Sequence, residues 1–496
     1  MQKPAEMPNH RRQAITELLQ NQNRAFGAGP AAQANLARLA AGASAVVTGQ
    51  QVSLFGGPLL TLLKAATAIR LAADASQAGA PHVPIFWLAS EDHDFAEVNQ
   101  ITLPCGGNEP HGLRTLRLPH HPSPGQPVGN VPFGQDILPL VEELRRCLGD
   151  APISDFLSNT YTSQATFSSA FAALMSRIFS EHGFIVIDAA GKDFHALASS
   201  TLRTAIEQAD EIHSALLARS KELEAAGYQP QVLVSDSSTL LFLLDERTGA
   251  RTALKKTLRG NWSAGNRKYE TAELLGILEA APERISPNAL LRPVMQDTLL
   301  PVSAYIGGPA EVAYYAQAQV VYQRILGRTT PIVPRFSATL IEPRIAHLLH
   351  RYQLTLPDVF TTSNALAQRL GARAMPVEAK RKLSAVGNAL ENELRALTEW
   401  MHAQDAGLGH AADIAASKML YQMNRLRRLS ATYTLKQDER IGRHSEALCS
   451  SLFPQNNLQE RVLPGIFFLS RLQTALVDSL VEHARGADCG HCALEF

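Results

Sequence analysis

Apolar and polar residues in the first hundred positions follow the pattern of a strand, a helix and a second strand. Ala45-Val46-Val47-Thr48 is a short β-favouring run, and the turn GQQVSLFGGP follows it. Pro58 suits a first helical turn, and apolar residues then recur with helical spacing at Leu59, Leu62, Leu63, Ala66, Ile69 and Ala73. VPIFWL at 83–88 predicts the second strand. Such a βαβ unit implies a parallel sheet with ligands at the carboxyl ends of its strands.

Later segments repeat this pattern and extend the predicted sheet. GFIVIDAAG at 183–191 predicts a buried strand, and the segment from 301 predicts a strand at 304–306, a Gly-Gly-Pro turn and a helix over 310–326. PIVPRFSATLIEP at 331–343 predicts the last core strand. Strands are also predicted at 231–236 and, entering a hairpin, at 239–251, while the rest of 250–285 looks charged and irregular.

The pattern changes at about residue 376. Apolar residues then recur at three- and four-residue steps, namely Leu383, Val386, Leu390, Leu394, Leu397 and Met401. A break at 405–410 precedes a second such run, which predicts an antiparallel, coiled-coil-like helical hairpin suited to dimerisation or docking. We therefore expect a core over 1–375, a hairpin over 376–445, and a segment over 446–496 that returns to the core and ends in a mobile tail.

Length and composition limit the class of protein. A chain of 496 residues exceeds one ordinary core, which predicts two or three domains or subdomains. Lys+Arg and Asp+Glu are both 46, so there is no basic excess of the kind that nucleic acid or anionic membranes attract. The N-terminus has no signal-peptide core, no stretch reaches the roughly 20 apolar residues of a membrane span, and the five cysteines are sparse. These features predict a cytoplasmic protein.

The strongest candidate for chemistry is SEDHD, which directly follows the strand at 83–88. Glu91, Asp92, His93 and Asp94 are four consecutive ionisable residues. A helix-capping role explains Asp94 together with Glu97, but it leaves the other three unexplained. A histidine beside a carboxylate is a workable general base or metal ligand. Because consecutive residues cannot all face one point, we expect about two of the four to converge on a ligand.

Other candidates keep two interpretations each. Gln50 and Gln51 form either a polar turn or a pair of neutral donors beside SEDHD, and Lys64 is either a solvated lysine or a ligand-binding residue. Glu311 is placed to complement a helix dipole whether or not it has a further function. Cys489, His491 and Cys492 offer three zinc ligands without a fourth at standard spacing, so a mobile tail is expected rather than a metal site.

Four segments together resemble one known family. They are VVTGQQVSLFGGPLLTLLKA, PIFWLASEDHDFAEVN, RPVMQDTLLPVSAYIGGPAEVAYYAQ and LFPQNNLQER, in that order along the chain. They resemble the bacillithiol biosynthesis cysteine-adding enzymes, the BshC family of cysteine ligases, from about residue 10 to 485. The resemblance implies a Rossmann-like, nucleotidyltransferase-type α/β core with connecting segments, and an α-helical coiled coil that makes a homodimer. It also implies that the carboxyl of cysteine is joined to the amine of glucosaminyl-malate.

The matching motifs supply the candidate site residues. We interpret His93, Asp92 and Glu91 as catalytic, with His93 as the base that takes a proton from the amine. The predicted substrate-binding residues are Thr48, Gln50, Gln51, Lys64, Asp94, Asn99, Gln296, Gly307, Gly308 and Glu311. The motifs also cover Gly49, Gly56, Gly57, Pro58 and Pro309, and the helix N-termini after the two Gly-Gly-Pro turns should attract the malate carboxylates.

The resemblance leaves the co-substrate and the wider function class open. ATP is implied only by analogy with nucleotidyltransferases, because their HIGH and KMSKS signatures are absent from this sequence. One alternative is a nucleotidyltransferase-like enzyme that acts on another amino sugar. Another is a non-catalytic, dimeric scaffold that binds a metabolite. In each case we expect the site to lie between the TGQQ turn and SEDHD, with the Gly-Gly-Pro turn at 307–309 closing one side.

Overall fold

The computed structural model describes residues 7–105, 112–119, 122–257, 260–484 and 490–496. The chain divides into two compact units. The first comprises Met1–Cys105, Arg114–Ala338 and Glu460–Cys492, and the second consists mainly of Thr339–Gln459. The first unit is therefore discontinuous, because the chain leaves it after residue 338 and returns to it at residue 460.

Strands and helices of the described chain have the following bounds. The strands are β1 (Ser44–Gln50), β2 (His82–Leu88), β3 (Gln100–Pro104), β4 (Leu113–Arg117), β5 (Ile185–Ile187), β6 (Ser238–Leu244), β7 (Arg251–Lys256), β8 (Trp262–Ala264), β9 (Arg267–Tyr269), β10 (Ile285–Pro287), β11 (Val302–Gly307), β12 (Ile332–Pro334), β13 (Ser337–Ile341) and β14 (His491–Glu495). The helices that precede residue 338 are α1 (Asn9–Ala25), α2 (Pro30–Ala40), α3 (Leu60–Gln77), α4 (Phe95–Val98), α5 (Ile137–Leu148), α6 (Pro152–Thr160), α7 (Phe167–Ile178), α8 (Lys192–Leu197), α9 (Ser199–Glu207), α10 (Ala209–Ala225), α11 (Thr271–Ala280), α12 (Arg292–Leu299) and α13 (Pro309–Leu326). The helices that follow are α14 (Pro343–Tyr352), α15 (Leu356–Val359), α16 (Ser363–Ala374), α17 (Val377–Gln404), α18 (Ala406–Gln437), α19 (Glu439–Leu452), α20 (Gln459–Val462) and α21 (Gly465–His483).

The centre of the first unit is a five-stranded parallel sheet in the order β12-β11-β1-β2-β5. Thr48 on β1 is in register with Phe86 on β2 and with Ile306 on β11. Every residue of β2 and β11 is buried, which is why these strands are continuous apolar runs rather than alternating ones. The sheet confirms the predicted βαβ unit and the second strand–turn–helix, and it places β1 between β2 and β11.

A second sheet of the first unit is antiparallel, with the order β10-β6-β7-β8-β9. The predicted hairpin at 239–251 corresponds to β6 and β7, but the expectation of irregular structure over 250–285 is wrong. Trp262, which is fully buried, and Tyr269 lie opposite each other on β8 and β9. Strands β8 and β9 have three residues each, so no alternation of apolar and polar residues is visible in the sequence.

The strand predicted at 231–236 is absent, and this segment is a loop of the described chain. The amide of Val232 donates to the side-chain oxygen of Gln317 at 2.8 Å, and its carbonyl accepts from the same side chain at 2.9 Å. The buried side-chain amide of Gln317, on α13, thus bonds to both backbone groups of Val232, which a neighbouring strand would otherwise pair.

The second unit is helical and contains the predicted hairpin. Helices α17 and α18 contact each other along their lengths. Asp405 separates them, and its side chain accepts a hydrogen bond from the amide of Leu408 at 2.9 Å. This is an N-cap, and the second helix begins at Ala406, so the break predicted over 405–410 is limited to Asp405.

The last residues and the cysteines differ from expectation. His491–Glu495 form β14, which pairs with β13, rather than the mobile tail that the sequence predicts, and Cys489 lies outside the described residues. Cys105 and Cys147 are joined by a disulfide. Among the described residues, each helix is too short or too polar to span a bilayer.

Candidate functional site

A cavity of about 440 Å³ lies in the first unit where β1, β2 and β11 end. The strands are parallel, so their carboxyl-end turns meet at this edge of the sheet. The cavity is lined by Gly49, Gln50, Gln51, Leu60, Lys64, Trp87, Ala89, Asp92, Glu97, Ala289, Arg292, Tyr305, Gly308, Pro309, Ala310, Glu311, Tyr314, Arg335 and Arg461.

The structure brings only some of the predicted site residues to this cavity. Those that line it are Gln50, Gln51, Lys64, Asp92, Gly308 and Glu311. The predicted residues that are not part of its lining are Thr48, Glu91, His93, Asp94, Asn99, Gln296 and Gly307.

Lys64 is buried in the wall of the cavity and forms an ion pair with Glu311. Its ammonium group also donates to the carbonyl of Gly49 at 2.8 Å and to Oε1 of Gln50 at 2.9 Å. The side chain is only 4% exposed, which excludes the solvated alternative. Burial lowers the pKa of Lys64, and the Glu311 carboxylate opposes this shift without cancelling it.

Glu311 connects the lysine to the start of α13. Its carboxylate accepts from the amide of Gly308 at 2.7 Å and from the hydroxyl of Tyr305 at 2.7 Å. Burial raises the pKa of Glu311, but Lys64 and these hydrogen bonds outweigh it, so the net pKa is lowered. The N-terminus of α13, predicted as an anion site, is therefore partly filled by the chain's own carboxylate.

Two acidic side chains form another part of the cavity wall. The side-chain nitrogen Nε2 of Gln51 donates to Oδ2 of Asp92 at 2.6 Å and to Oε2 of Glu97 at 3.0 Å. Gln51 thereby holds the two carboxylates near each other at the ends of β1 and β2. Like charges held in this way favour a cation between or beside them.

Glu91, adjacent to Asp92, contacts a different group. Its Oε1 lies 3.1 Å from Nε2 of His195, a fully buried histidine whose Nδ1 contacts the carbonyl of Ile285 at 3.0 Å. Burial lowers the pKa of His195, but the Glu91 carboxylate and nearby carbonyls outweigh it, so the net pKa is raised. Glu91 and His195 therefore form a partly buried ion pair, and His195 was not singled out from the sequence.

His93 contacts the second sheet instead of the cavity. Its side chain is 41% exposed, its ring packs against Phe242, and Nδ1 lies 3.4 Å from the guanidinium of Arg251. Arg251 itself stacks 3.8 Å from the centre of the Phe242 ring.

The remaining predicted residues have structural contacts. Asp94 makes no side-chain capping bond to α4, so the predicted capping box is wrong, and Glu97 bonds to Gln51 instead. The buried Thr48 donates to the carbonyl of Ile306 at 3.0 Å, and Asn99 exchanges hydrogen bonds with the backbone of Leu118. Gln296 is fully buried beside Asp297.

Sequence reasoning missed several residues of the cavity, above all Arg292. Arg292 is the first residue of α12, and its Nη2 donates to the hydroxyl of Tyr314 at 2.9 Å. Its Nη1 is buried and has no hydrogen-bond partner among the described residues. Arg335 is buried in an ion pair with Glu460, and Arg461 is exposed at the same cavity. The segments RPVMQD and LFPQNNLQER contain two of these residues, Arg292 and Arg461, but nothing in their spacing indicated a site.

The described residues contain no group of three or more His, Cys, Asp or Glu side chains placed to hold a metal ion. The cavity is instead lined by carboxylates, side-chain amides and cations, several of which are bonded to one another. Such a site can bind small molecules that carry both positive and negative charges.

Comparisons with known proteins give matches over nearly the whole chain. Residues 1–336 match the model of the N-terminal Rossmann-like domain of bacillithiol biosynthesis BshC, and residues 338–496 match that of its C-terminal coiled-coil domain. A protein of Koribacter versatilis named "Putative cysteine ligase BshC" is 43% identical, covering 95% of this chain and 88% of its own length. Proteins of the same name from Solibacter usitatus and Geobacillus kaustophilus are 39% and 29% identical and cover 88% and 95% of this chain, and 82% and 88% of their own lengths. This chain, with its Rossmann-like core and helical hairpin, belongs to the bacillithiol biosynthesis BshC family.

Proposed function

We propose that this protein is a cysteine ligase that joins the carboxyl of cysteine to the amine of glucosaminyl-malate. The observation that carries this proposal is the mixed charge of the cavity at the carboxyl edge of the parallel sheet. Asp92 and Glu97 provide negative charge, while Arg292 and Arg461 provide positive charge beyond the internal Lys64–Glu311 pair. Both substrates carry an amine and at least one carboxylate, so both charge types have a partner.

Amide formation from a carboxylate and an ammonium releases water and requires an activated carboxyl. By analogy with nucleotidyltransferases, ATP is the proposed activator. A carboxylate oxygen of cysteine would attack the α-phosphorus of ATP and displace pyrophosphate, so that the carboxyl acquires a nucleotide leaving group. The neutral amine then forms the C–N bond, and the nucleotide leaves with the electron pair of the C–O bond. The nitrogen gives up one proton before the attack and one after it.

Asp92 is the residue that we propose holds the attacking ammonium and accepts its proton. It lines the cavity, and Gln51 fixes one of its oxygens by a hydrogen bond of 2.6 Å. Glu97 shares that donor and adds a second negative charge. In this proposal Asp92 takes the role that the sequence suggested for His93, because His93 is not part of the cavity lining.

The direct test is incubation of the purified protein with cysteine, glucosaminyl-malate and ATP, followed by mass spectrometry of the thiol and nucleotide products. We expect a cysteinyl amide and an equal amount of AMP. Omission of cysteine should abolish both products. Turnover of another amino sugar without cysteine would instead support the nucleotidyltransferase alternative, and binding without turnover would support the scaffold alternative.

We also propose that the protein is a homodimer joined through α17 and α18. The support is a stripe of exposed apolar residues on each helix of the hairpin. Val386, Leu397 and Trp400 lie within about 60° of one another on α17, given 100° per residue. Leu408, Met419, Leu426 and Tyr433 share one face of α18 in the same way. Exposed stripes of this kind usually indicate an interaction surface.

The proposed compartment is the cytoplasm, since the substrates are small intracellular metabolites and the chain has few cysteines. In a reducing cytoplasm, Cys105 and Cys147 should be thiols despite their pairing in the structure. Alkylation in intact cells followed by mass spectrometry should label both residues. An intact disulfide in most molecules would contradict this location.

A further inference from the structure

Nη1 of Arg292 is buried and lacks a hydrogen-bond partner among the described residues, and no other guanidinium nitrogen in the described lining of this cavity does so. The guanidinium carbon lies 5.9 Å from the centre of the Tyr305 ring, and Nη2 is already bonded to Tyr314. A buried charged donor without an acceptor is costly. A ligand that brings an acceptor to Nη1 would remove this penalty.

The other buried cations of the cavity already have anionic partners. Lys64 is paired with Glu311, and Arg335 is paired with Glu460, which also accepts from Ser337 and Ala338. The capacity to bind an anion is therefore concentrated at Arg292, with Arg461 as an exposed second cation. A planar guanidinium suits a carboxylate particularly well, because the two groups form parallel hydrogen bonds.

The positions of the charges fit a ligand with two different ends. Arg292 lies beside Tyr305 of β11, whereas Asp92 lies in the loop that follows β2, and β1 separates these two strands. Strands two places apart in a sheet are separated by roughly 10 Å. An amine and a carboxylate within one small molecule can span this distance when several bonds separate them.

We propose that Arg292 is a specificity-determining residue, which binds a carboxylate of the acid portion of the amine substrate and so orients the amine toward Asp92. The identity of the substrate rests on the function proposed above, but the anion site itself does not. The amine and the carboxylate of free cysteine are attached to one carbon atom and suit a short span, whereas an amino sugar linked to a dicarboxylic acid suits a span of two strand spacings, roughly 10 Å. A nucleotide phosphate shares the anionic chemistry and is the competing source of the ligand.

The test is equilibrium binding at constant ionic strength to the wild type, Arg292→Gln, Arg292→Lys and the control Arg324→Gln. Arg324 is exposed on α13, and its Nε donates a hydrogen bond to Oε1 of Gln208 at 3.0 Å. The probes are malate, glucosamine, inorganic phosphate and ATP. Loss of a charge-assisted hydrogen bond of about 1.5–3 kcal/mol should weaken malate binding by roughly 10- to 100-fold in Arg292→Gln. Glucosamine binding should stay unchanged in all variants.

The two conservative variants separate charge from geometry. Arg292→Lys keeps the charge but loses the paired donors, so its malate affinity should lie between those of the wild type and Arg292→Gln. In turnover, Arg292→Gln should raise the KM for glucosaminyl-malate more than it lowers kcat. Melting temperatures of all variants identify any loss of binding that comes from unfolding. If Arg292→Gln is unfolded, the comparison of Arg292→Lys with the wild type is used instead.

Unchanged malate affinity in folded Arg292→Gln would overturn the inference. Selective loss of ATP or phosphate binding would also overturn it, since Arg292 would then serve the nucleotide. If malate binding depends on Arg292 but no cysteinyl amide forms with any nucleotide, the proposed function fails and the anion site stands.

Discussion

At the scale of single residues, three neighbours in one charged segment have three different surroundings. Glu91 contacts the buried His195, Asp92 lines the cavity, and His93 packs against Phe242. The sequence could predict the segment because a run of charge directly after a buried strand is unusual. It could not predict which side chain faces the cavity, because that depends on His195 and Phe242, which lie more than 100 positions further along the chain.

The comparison of Asp92→Asn with His93→Ala tests this separation. Asn at position 92 can still accept from Gln51 but cannot take a proton, so turnover should fall by roughly 100-fold or more. His93→Ala should retain turnover within a few-fold, which reverses the expectation from sequence. Turnover and melting temperature should be measured for both variants. Equal losses in two folded variants, or a loss confined to His93→Ala, would restore His93 as the base.

The ion pair of Glu91 and His195 predicts a dependence of stability on pH. The pKa of His195 is raised in the folded protein, so the pair stabilises the fold at pH values below about 6.5, the unfolded pKa. This contribution is lost as the pH rises through the folded pKa. Glu91→Gln should therefore lower the free energy of unfolding by about 1–3 kcal/mol at pH 6, with a smaller effect at pH 9.

Urea denaturation of the wild type and Glu91→Gln across this pH range measures the effect. Glu279→Gln is a suitable control, because Glu279 pairs with Arg203 in an exposed salt bridge that should contribute little. A difference between wild type and Glu91→Gln that stays constant with pH would mean that His195 does not titrate with the pair.

At the scale of elements, long periodic segments were predictable and short ones were not. The strands β1, β2 and β11 follow from apolar runs bounded by glycine or charge, and α17 and α18 follow from sustained helical spacing. Strands β8 and β9 have three residues each, too few for a period to be visible. The segment 231–236 has strand-like composition, but the side chain of Gln317 bonds to both backbone groups of Val232.

The end of β1 depends on a close approach that a side chain would block. A Cβ atom on Gly49 would lie 2.8 Å from the carbonyl oxygen of Trp87 on the neighbouring strand. Gly49→Ala should therefore destabilise the protein by about 1–3 kcal/mol, and it should disturb the cavity, which Gly49 and Trp87 both line.

The matched control for this substitution is Gly276→Ala in α11, where an added Cβ meets no atom within 4 Å. Alanine inside a helix is favoured over glycine, so this variant should gain up to about 1 kcal/mol. Urea denaturation of both proteins provides the measurement. A neutral Gly49→Ala would show that β1 and β2 can separate slightly at this point.

At the scale of the whole molecule, the cavity collects residues from distant parts of the chain. Glu460 and Arg461 belong to the segment that returns to the first unit after the helical unit, and Glu460 neutralises Arg335. The sequence could predict that the chain returns, because LFPQNNLQER is part of the family resemblance. It could not predict that this segment supplies a cavity-lining arginine, since two adjacent charged residues in a sequence can equally be exposed to solvent.

The hairpin allows a prediction about assembly. Leu390 and Leu397 both belong to the apolar pattern that predicts the first helix of the hairpin, but Leu390 is half-buried, whereas Leu397 is 48% exposed. A charge at Leu390 would disturb the hairpin itself. Leu397→Glu combined with Trp400→Glu places two charges on the exposed stripe of α17 and should leave the hairpin folded, because neither side chain is buried.

Sedimentation equilibrium should show the wild type as a dimer and the double variant as a monomer at micromolar concentration. Two desolvated carboxylates opposite their symmetry mates would oppose association strongly, since like charges at an interface cost several kcal/mol. Ser384→Glu, at an exposed polar position on the same helix, should remain dimeric. Circular dichroism establishes that helix content is unchanged in each variant. If the double variant still dimerises as tightly as the wild type, the exposed stripe of α17 is not the interface, and the corresponding stripe of α18 becomes the next surface to test.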